Sequence, residues 1–243
     1  MSRKSIVFDT DAVSSIIKGT KTAARFVVKP HNPVRAAGED YRQGVGLWID
    51  PTTDNPDKDG HIKDYSVSSC WSTFKWYIDK FAPYHIGDIV YIRETWTESH
   101  IIGPDKYFYR EEFDLSEPPY SNWKWKSATR MPKEAARIFL RITDVRIERL
   151  QDITEDDAYR EGVMKAHDQS FNTDYWYYKE GQNYPNGKCW TENARQCFLW
   201  GMWNGRLKKP KEYERYNQNR NPWVWVIEFK VDTINNSPAK EAG

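Results

Sequence analysis

Cysteine is scarce in this chain. Only Cys70, Cys189 and Cys197 occur in 243 residues, and no two of them form a Cys-x-x-Cys pair. An odd, scattered set argues against a disulfide framework and against a structural zinc site. Histidine is thin as well, with five residues placed singly and no His-Glu-x-x-His, which removes a zincin-type metal site. Charge of one sign is missing: 36 basic residues face 35 acidic ones, for a net charge of +1. Coating nucleic acid by bulk charge needs a more basic chain, so any such contact must use a local patch or pocket. Long apolar runs are absent too. None approaches the ~18 residues of a membrane span, and the opening MSRKSIVFD is too poor in apolar residues for a signal peptide. Together these absences predict a cytoplasmic protein with no membrane partner and no implied cofactor or metal.

Aromatic residues are plentiful, at 15% of the chain with 12 Trp and 15 Tyr. That density suits stacking surfaces or an aromatic-rich core. The length allows one elaborated domain or two small ones, with a sizeable core either way. Near the start, KGTKTAARF (Lys18 to Phe26) has the flavour of a phosphate-binding loop. The spacing refuses it: Gly19 is separated from Lys21 by Thr20, and Ser14 stands where the first glycine belongs. The pattern predicts a short helix capped by Asp11, with Val13, Ile16 and Ile17 on its apolar face and Gly19 as a left-handed C-cap. Lys21, Thr22 and Arg25 then emerge just past it. DNPDKDG (Asp54 to Gly60) fails as a calcium loop, because Ser66 occupies the position of the bidentate glutamate.

Three segments alternate as strands. IVYIRETW (Ile89 to Trp96) puts Val90, Ile92, Glu94 and Trp96 on one face, so Glu94 must be paired, most simply with an arginine, or serve as a site carboxylate. ARIFLRITDVRIERL (Ala136 to Leu150) switches parity near Thr143-Asp144, which predicts a bulge or bend in a long strand. NPWVWVIEFKV (Asn221 to Val231) sets Trp223, Trp225, Ile227 and Phe229 against Val224, Val226, Glu228 and Lys230, as a closing strand. Thr154 can cap a helix carrying Glu155, Asp156 and Asp157 in its first turn, with Gly162 as the stop. Glu161 falls at the negative end of that helix, which predicts a raised carboxyl pKa. TENARQCFLWGMWNGRL (Thr191 to Leu207) reads as an amphipathic helix with Ala194, Cys197, Phe198, Met202 and Trp203 as core positions. NWKWKSATRMPK (Asn122 to Lys133) interleaves Trp123 and Trp125 with lysines, a pattern that can stack bases and hold phosphates. DYWYYK (Asp174 to Lys179) is better read as a cross-strand aromatic ladder.

Gly-x-Lys-Thr-x-x-Arg after a short helix, followed by Gly-Asp-x-x-Tyr-x-Arg-Glu-Thr-Trp, resembles the ASCH domain of the PUA-like superfamily. RMPKEAARIFLRITDVRIERLQDITEDDAYREGV and NPWVWVIEF look much like the larger ASCH-type proteins of phages and prophages. The matching blocks are about residues 12–30, 83–97, 127–163 and 194–231. The resemblance implies an α+β fold: a small PUA-like (ASCH) β-barrel with flanking helices and large loop insertions. It implies a single domain over 1–231, insertions at about 31–80, 98–126 and 164–192, and a flexible tail over 232–243. It further implies a cleft for single-stranded RNA or a modified nucleoside or nucleotide. Lys21, Arg25 and Arg130 would meet phosphate or base acceptors, Arg93 and Glu94 would line the cleft, Trp96 would stack, and Glu161 would read an exocyclic amine. Some small members resemble amidohydrolases that remove an acyl group from the exocyclic amine of cytidine, using a lysine, a threonine three residues later and a distant glutamate. Lys21 and Glu161 match that set, whereas the threonine position holds Ala24, with Thr22 the nearby hydroxyl. The expected function is therefore RNA or modified-nucleotide binding. The alternatives are a hydrolase of that amidohydrolase kind or a ribonuclease, with Lys21, Glu161 and Thr22 as its catalytic residues, and a phage module that binds a host protein.

Overall fold

The computed structural model describes residues 4–28, 61–64, 70–73, 78, 81–99, 106–113, 123–178, 188–189 and 191–235. The Asp54–Gly60 loop, and much of the three expected insertions, lie outside these residues. The strands are β1 (Ser5–Val7), β2 (Ala23–Val27), β3 (His61–Asp64), β4 (Cys70–Thr73), β5 (Ile89–Arg93), β6 (Trp96–Ser99), β7 (Lys106–Tyr109), β8 (Ile138–Arg149), β9 (Met164–Asp168), β10 (Thr173–Tyr177), β11 (Lys188–Cys189) and β12 (Trp223–Ile234). Five of them form the main sheet in the order β1-β5-β8-β12-β2. Only β1 and β5 run parallel; the other neighbours are antiparallel. The fold is thus mixed α+β, as expected.

The expected small β-barrel is not closed among the described residues. The sheet stays open, with β1 and β2 as its edges. The helix that joins those edges explains this. Helix α1 (Thr10–Ile17) seats Val13 and Ile16 in the same apolar cluster as Ile6, Ile92, Leu140, Ile142 and Ile227. Side-chain packing between the edges takes the place of a strand-to-strand ladder. Asp9, not Asp11, caps α1 by accepting from the Ala12 amide, and Asp11 lies in the first turn, where the helix dipole favours a carboxylate. Gly19 has the expected positive φ, +76°.

The core lies on both faces of β12, whose alternation sorts its side chains. Trp223, Trp225, Ile227 and Phe229 join the α1 cluster. Val224 and Val226 face a second cluster with Leu150, Ile153, Ala158, Phe198, Met202 and Trp203. The predicted bulge is present: Glu228 pairs with Asp144 and Phe229 with Ile142, which leaves Thr143 exposed between two buried parities. Strand β12 runs past Asp232, where the flexible tail is expected to begin, since Thr233 and Ile234 pair with Phe139 and Ile138. Helix α2 (Glu155–Arg160) carries a full capping box between Thr154 and Asp157, and Gly162 ends it at φ +99°.

Helix α3 departs from regular geometry. Ala194–Gln196 and Asn204–Arg206 are α-helical, but Cys197–Trp203 between them is a π-helix. All five predicted core positions are buried, with Cys197 and Phe198 fully so. The wider π turns set the phase of the last turn and so decide which of its residues face the neighbouring helices. Helix α4 (Pro210–Tyr216) comes next, with proline in its first turn. β9, β10 and β11 make a separate antiparallel sheet. Tyr175 and Tyr177 lie along β10 with ring centroids 5.9 Å apart, and Trp176 docks the sheet by donating to the Tyr159 hydroxyl. Their partners across to β9 are Ala166, Lys165 and Met164, so over the described residues of DYWYYK the ring contact runs along one strand and the expected cross-strand ladder is not formed.

Candidate functional site

The edge strand β2 brings the two faces of the sheet to one place. Here α1, the turn after it, the end of α2 and the last turn of α3 surround a pocket of about 340 Å³. Its lining includes Asp9, Asp11, Ser15, Lys21, Glu161, Tyr178, Met202, Arg206 and Lys208. The turn is held rigidly, since the amides of Thr20 and Lys21 both donate to the Ser15 carbonyl. Thr22 then bridges outward, its amide donating to the Arg160 carbonyl and its carbonyl accepting from Phe229. Gly162 brings α2 against this turn: a Cβ there would lie 3.5 Å from the Lys21 Cβ.

Lys21 and Glu161 form the floor, as a buried pair. The Lys21 ammonium donates to Glu161 Oε2 at 2.9 Å, to the Glu161 carbonyl at 2.7 Å and to the Ala23 carbonyl at 2.8 Å. Those three bonds use all three of its protons. Burial pulls the Lys21 pKa down to about 8, against the opposing pull of Glu161. Glu161 moves opposite to the sequence expectation. Burial pushes its carboxyl pKa up, but Lys21, Arg206 and Arg25 together outweigh that and hold it below the ordinary range. A helix terminus supplies only about half an elementary charge, so three full cations around the carboxylate decide the sign.

Arg25 is fully buried. Its guanidinium meets Glu148, Asp157 at 3.3 Å and Glu161 Oε1 at 3.3 Å, over the ring of Phe198. The expected phosphate contact is replaced by an interior role: Arg25 ties the Glu161 floor to α2 and β8. Arg146 extends the network through Asp144, Glu148 and Glu228. Arg206, which the sequence reading passed over, lies 3.7 Å from Glu161 Oε2 with its side chain 38% exposed. It is the cation of the floor that solvent reaches. Only the basic run RLKKPK (Arg206 to Lys211) marks it in the sequence, and such a run reads as a solvated face until the π-helix aims its first residue inward.

The remaining candidates do not line this pocket among the described residues. Glu94 is buried in a bidentate pair with Arg137, two bonds of 2.9 Å, which is the arginine partner its position required. Arg137 also reaches Glu111 and Glu112 and stacks on Tyr109 at 4.3 Å. Burial and the neighbouring carboxylates raise the Glu94 pKa in spite of Arg137. Trp96 is only 4% exposed, under Lys126 at 4.6 Å and Tyr107, so its faces are covered. Trp123 and Trp125 pack on each other and on Phe113 instead of standing open. Arg93 is half-buried with its Nε unpaired. Arg130 is exposed, on a short 3-10 turn.

Hydroxyls near the floor bear on catalysis. Ala24 points into the apolar core opposite Ile227, and Thr22 is not part of the lining. Ser15 lines the pocket but donates its proton to the Asp11 carbonyl at 2.9 Å. Among the described residues no group of His, Cys, Asp and Glu side chains is arranged to hold a metal ion, and no helix is long and apolar enough to cross a membrane. Comparison of the chain with protein-family models, with curated proteins and with solved structures finds no match in any of the three.

Proposed function

We propose that this is an ASCH-type, PUA-like protein that binds single-stranded RNA or a modified nucleotide, and that the Lys21–Glu161 pocket takes one base. The observation that carries the reading is a carboxylate and a reachable guanidinium side by side on one pocket floor. Glu161 Oε2 keeps acceptor capacity beyond its bond to Lys21; its side chain is closed to solvent, so a base meets it by shifting the Arg206 guanidinium that stands 3.7 Å from the same oxygen. A cytosine-like edge offers an exocyclic amine to the carboxylate and a ring acceptor to the guanidinium. Tyr178 and Met202 supply wall surface for the flat face of the base. Lys21 acts beneath, holding Glu161 ionised and aimed. The absence of a lining hydroxyl at Thr22 or Ala24 favours recognition over acyl transfer to the protein.

Calorimetric titration with cytidine monophosphate and with an N4-acylated cytidine tests this. Binding by the wild type that falls at least tenfold in Glu161→Gln and in Arg206→Gln supports it. Equal affinity in all three proteins, or no heat with either ligand, refutes it. A hydrolase reading draws on one feature: a lysine near pKa 8 beside a carboxylate is poised for proton transfer at neutral pH. Release of free cytidine from the acylated ligand, lost in Lys21→Met, would establish that reading instead.

A further inference from the structure

The rim of the pocket continues into a basic surface. Residues 206–220, RLKKPKEYERYNQNR, hold six basic residues against two acidic ones, in a chain whose net charge is only +1. Lys208 stands on the pocket rim. Three residues on, Lys211, Arg215 and Arg220 line a second, open groove of about 450 Å³ together with Glu214. Lys211 and Arg215 are one turn apart on α4 and so share a face. Arg220 is anchored beside them by donating its Nε to the Glu214 carbonyl. Among the described residues, no carboxylate lies within ion-pair distance of Lys208, Lys211, Arg215 or Arg220; the one ion pair on this helix joins Lys209 to Glu212. An ordinary solvated helix face mixes both signs and pairs them. Here unpaired cations succeed one another away from a pocket mouth.

We infer that Lys208, Lys211, Arg215 and Arg220 form a phosphate track, so that the ligand is a nucleotide within a single strand whose backbone leaves the pocket along α4. This rests on the base-pocket reading of the Lys21–Glu161 floor. A free nucleoside would leave the track unused. An extended polyanion threading from the pocket would neutralise each cation in turn and release counterions as it did so.

Fluorescence anisotropy with a labelled 12-nucleotide cytidine-rich RNA across a salt series, alongside calorimetry with cytidine monophosphate, tests it. The variant is Lys211→Gln/Arg215→Gln/Arg220→Gln, which leaves the pocket lining untouched. The expected result is a tenfold or greater loss of RNA affinity and a log–log salt slope shallower by about 2, from ~0.7 per phosphate contact on a single strand. Monophosphate affinity should not change. Equal RNA affinity and slope in wild type and variant overturn the track and leave the pocket reading in place. Failure of the wild type to bind either ligand overturns both. Retention of polyglutamate that needs the three cations, with no retention of RNA, overturns the track in favour of an acidic protein partner.

Discussion

Replacing Glu161 by glutamine keeps the shape of the pocket floor and removes one charge from the interior. Glu161 is fully buried, and three cations converge on it: Lys21 at 2.9 Å, Arg25 at 3.3 Å and Arg206 at 3.7 Å. Breaking a buried pair from one side costs about 3–5 kcal/mol, because the partner charge stays buried. Two features reduce that here. Arg25 retains Glu148 and Asp157, and Lys21 can shed its proton. The Lys21 pKa is already about 8, so neutralising it at pH 7 adds only about 1 kcal/mol, at ~1.4 kcal/mol per pKa unit. The expected loss is therefore about 3 kcal/mol, the low end of the range. In urea this lowers the midpoint by about 1 M at an unchanged slope of ~3 kcal/mol/M.

The pH dependence comes from the same pair. The unfolded lysine holds its proton to its ordinary pKa of 10.5, whereas the folded one releases it at about 8. Across that window the unfolded state binds more protons, so the Lys21 contribution to stability rises with pH. In Glu161→Gln the folded pKa falls further, and the rising window opens below pH 8. Glu161→Gln/Lys21→Met removes both charges and should be more stable than Glu161→Gln alone. A midpoint shift under 0.2 M for Glu161→Gln, or a double variant less stable than the single one, would refute the claim that this pair is energetically coupled.

Arg137→Met should be the most damaging single change on the other side of the sheet, at about 4 kcal/mol or more, since it leaves Glu94, Glu111 and Glu112 together without their cation. Because the Glu94 pKa is already raised, this variant should regain stability as pH falls from 7 to 5, measured by thermal melts; a loss that does not vary with pH would contradict the account. Gly162→Ala places a side chain at φ +99°, where the added Cβ meets only ordinary contacts, so backbone strain alone sets its cost at about 1–2 kcal/mol. An unchanged melting temperature would remove the left-handed stop from the account.

Much of the local structure could be read from the chain. Parity in IVYIRETW places Glu94 among buried side chains, and the parity switch at Thr143-Asp144 marks the bulge, because a strand's period of two leaves no other way to keep both halves facing the core. Thr154 and Gly162 bound α2 for similarly local reasons: hydrogen bonds to the first free amides, and a φ that only glycine adopts cheaply. The pairing of Lys21 with Glu161 is implied by resemblance alone, since 140 residues separate them and no periodicity links them.

Tertiary structure alone decided the rest. It gave Glu161 three cationic neighbours and so reversed the sign of its pKa shift, because Coulomb interactions depend on distances through space that sequence separation does not encode. It buried Arg25 and Trp96, residue types that a linear reading offers to a ligand. It left the sheet open by packing α1 between its edges, and it turned Arg206 toward the pocket through a π-helical stretch of α3. Composition and alternation determine which residues leave water. Which charges then meet in the interior is settled only when the elements that carry them pack.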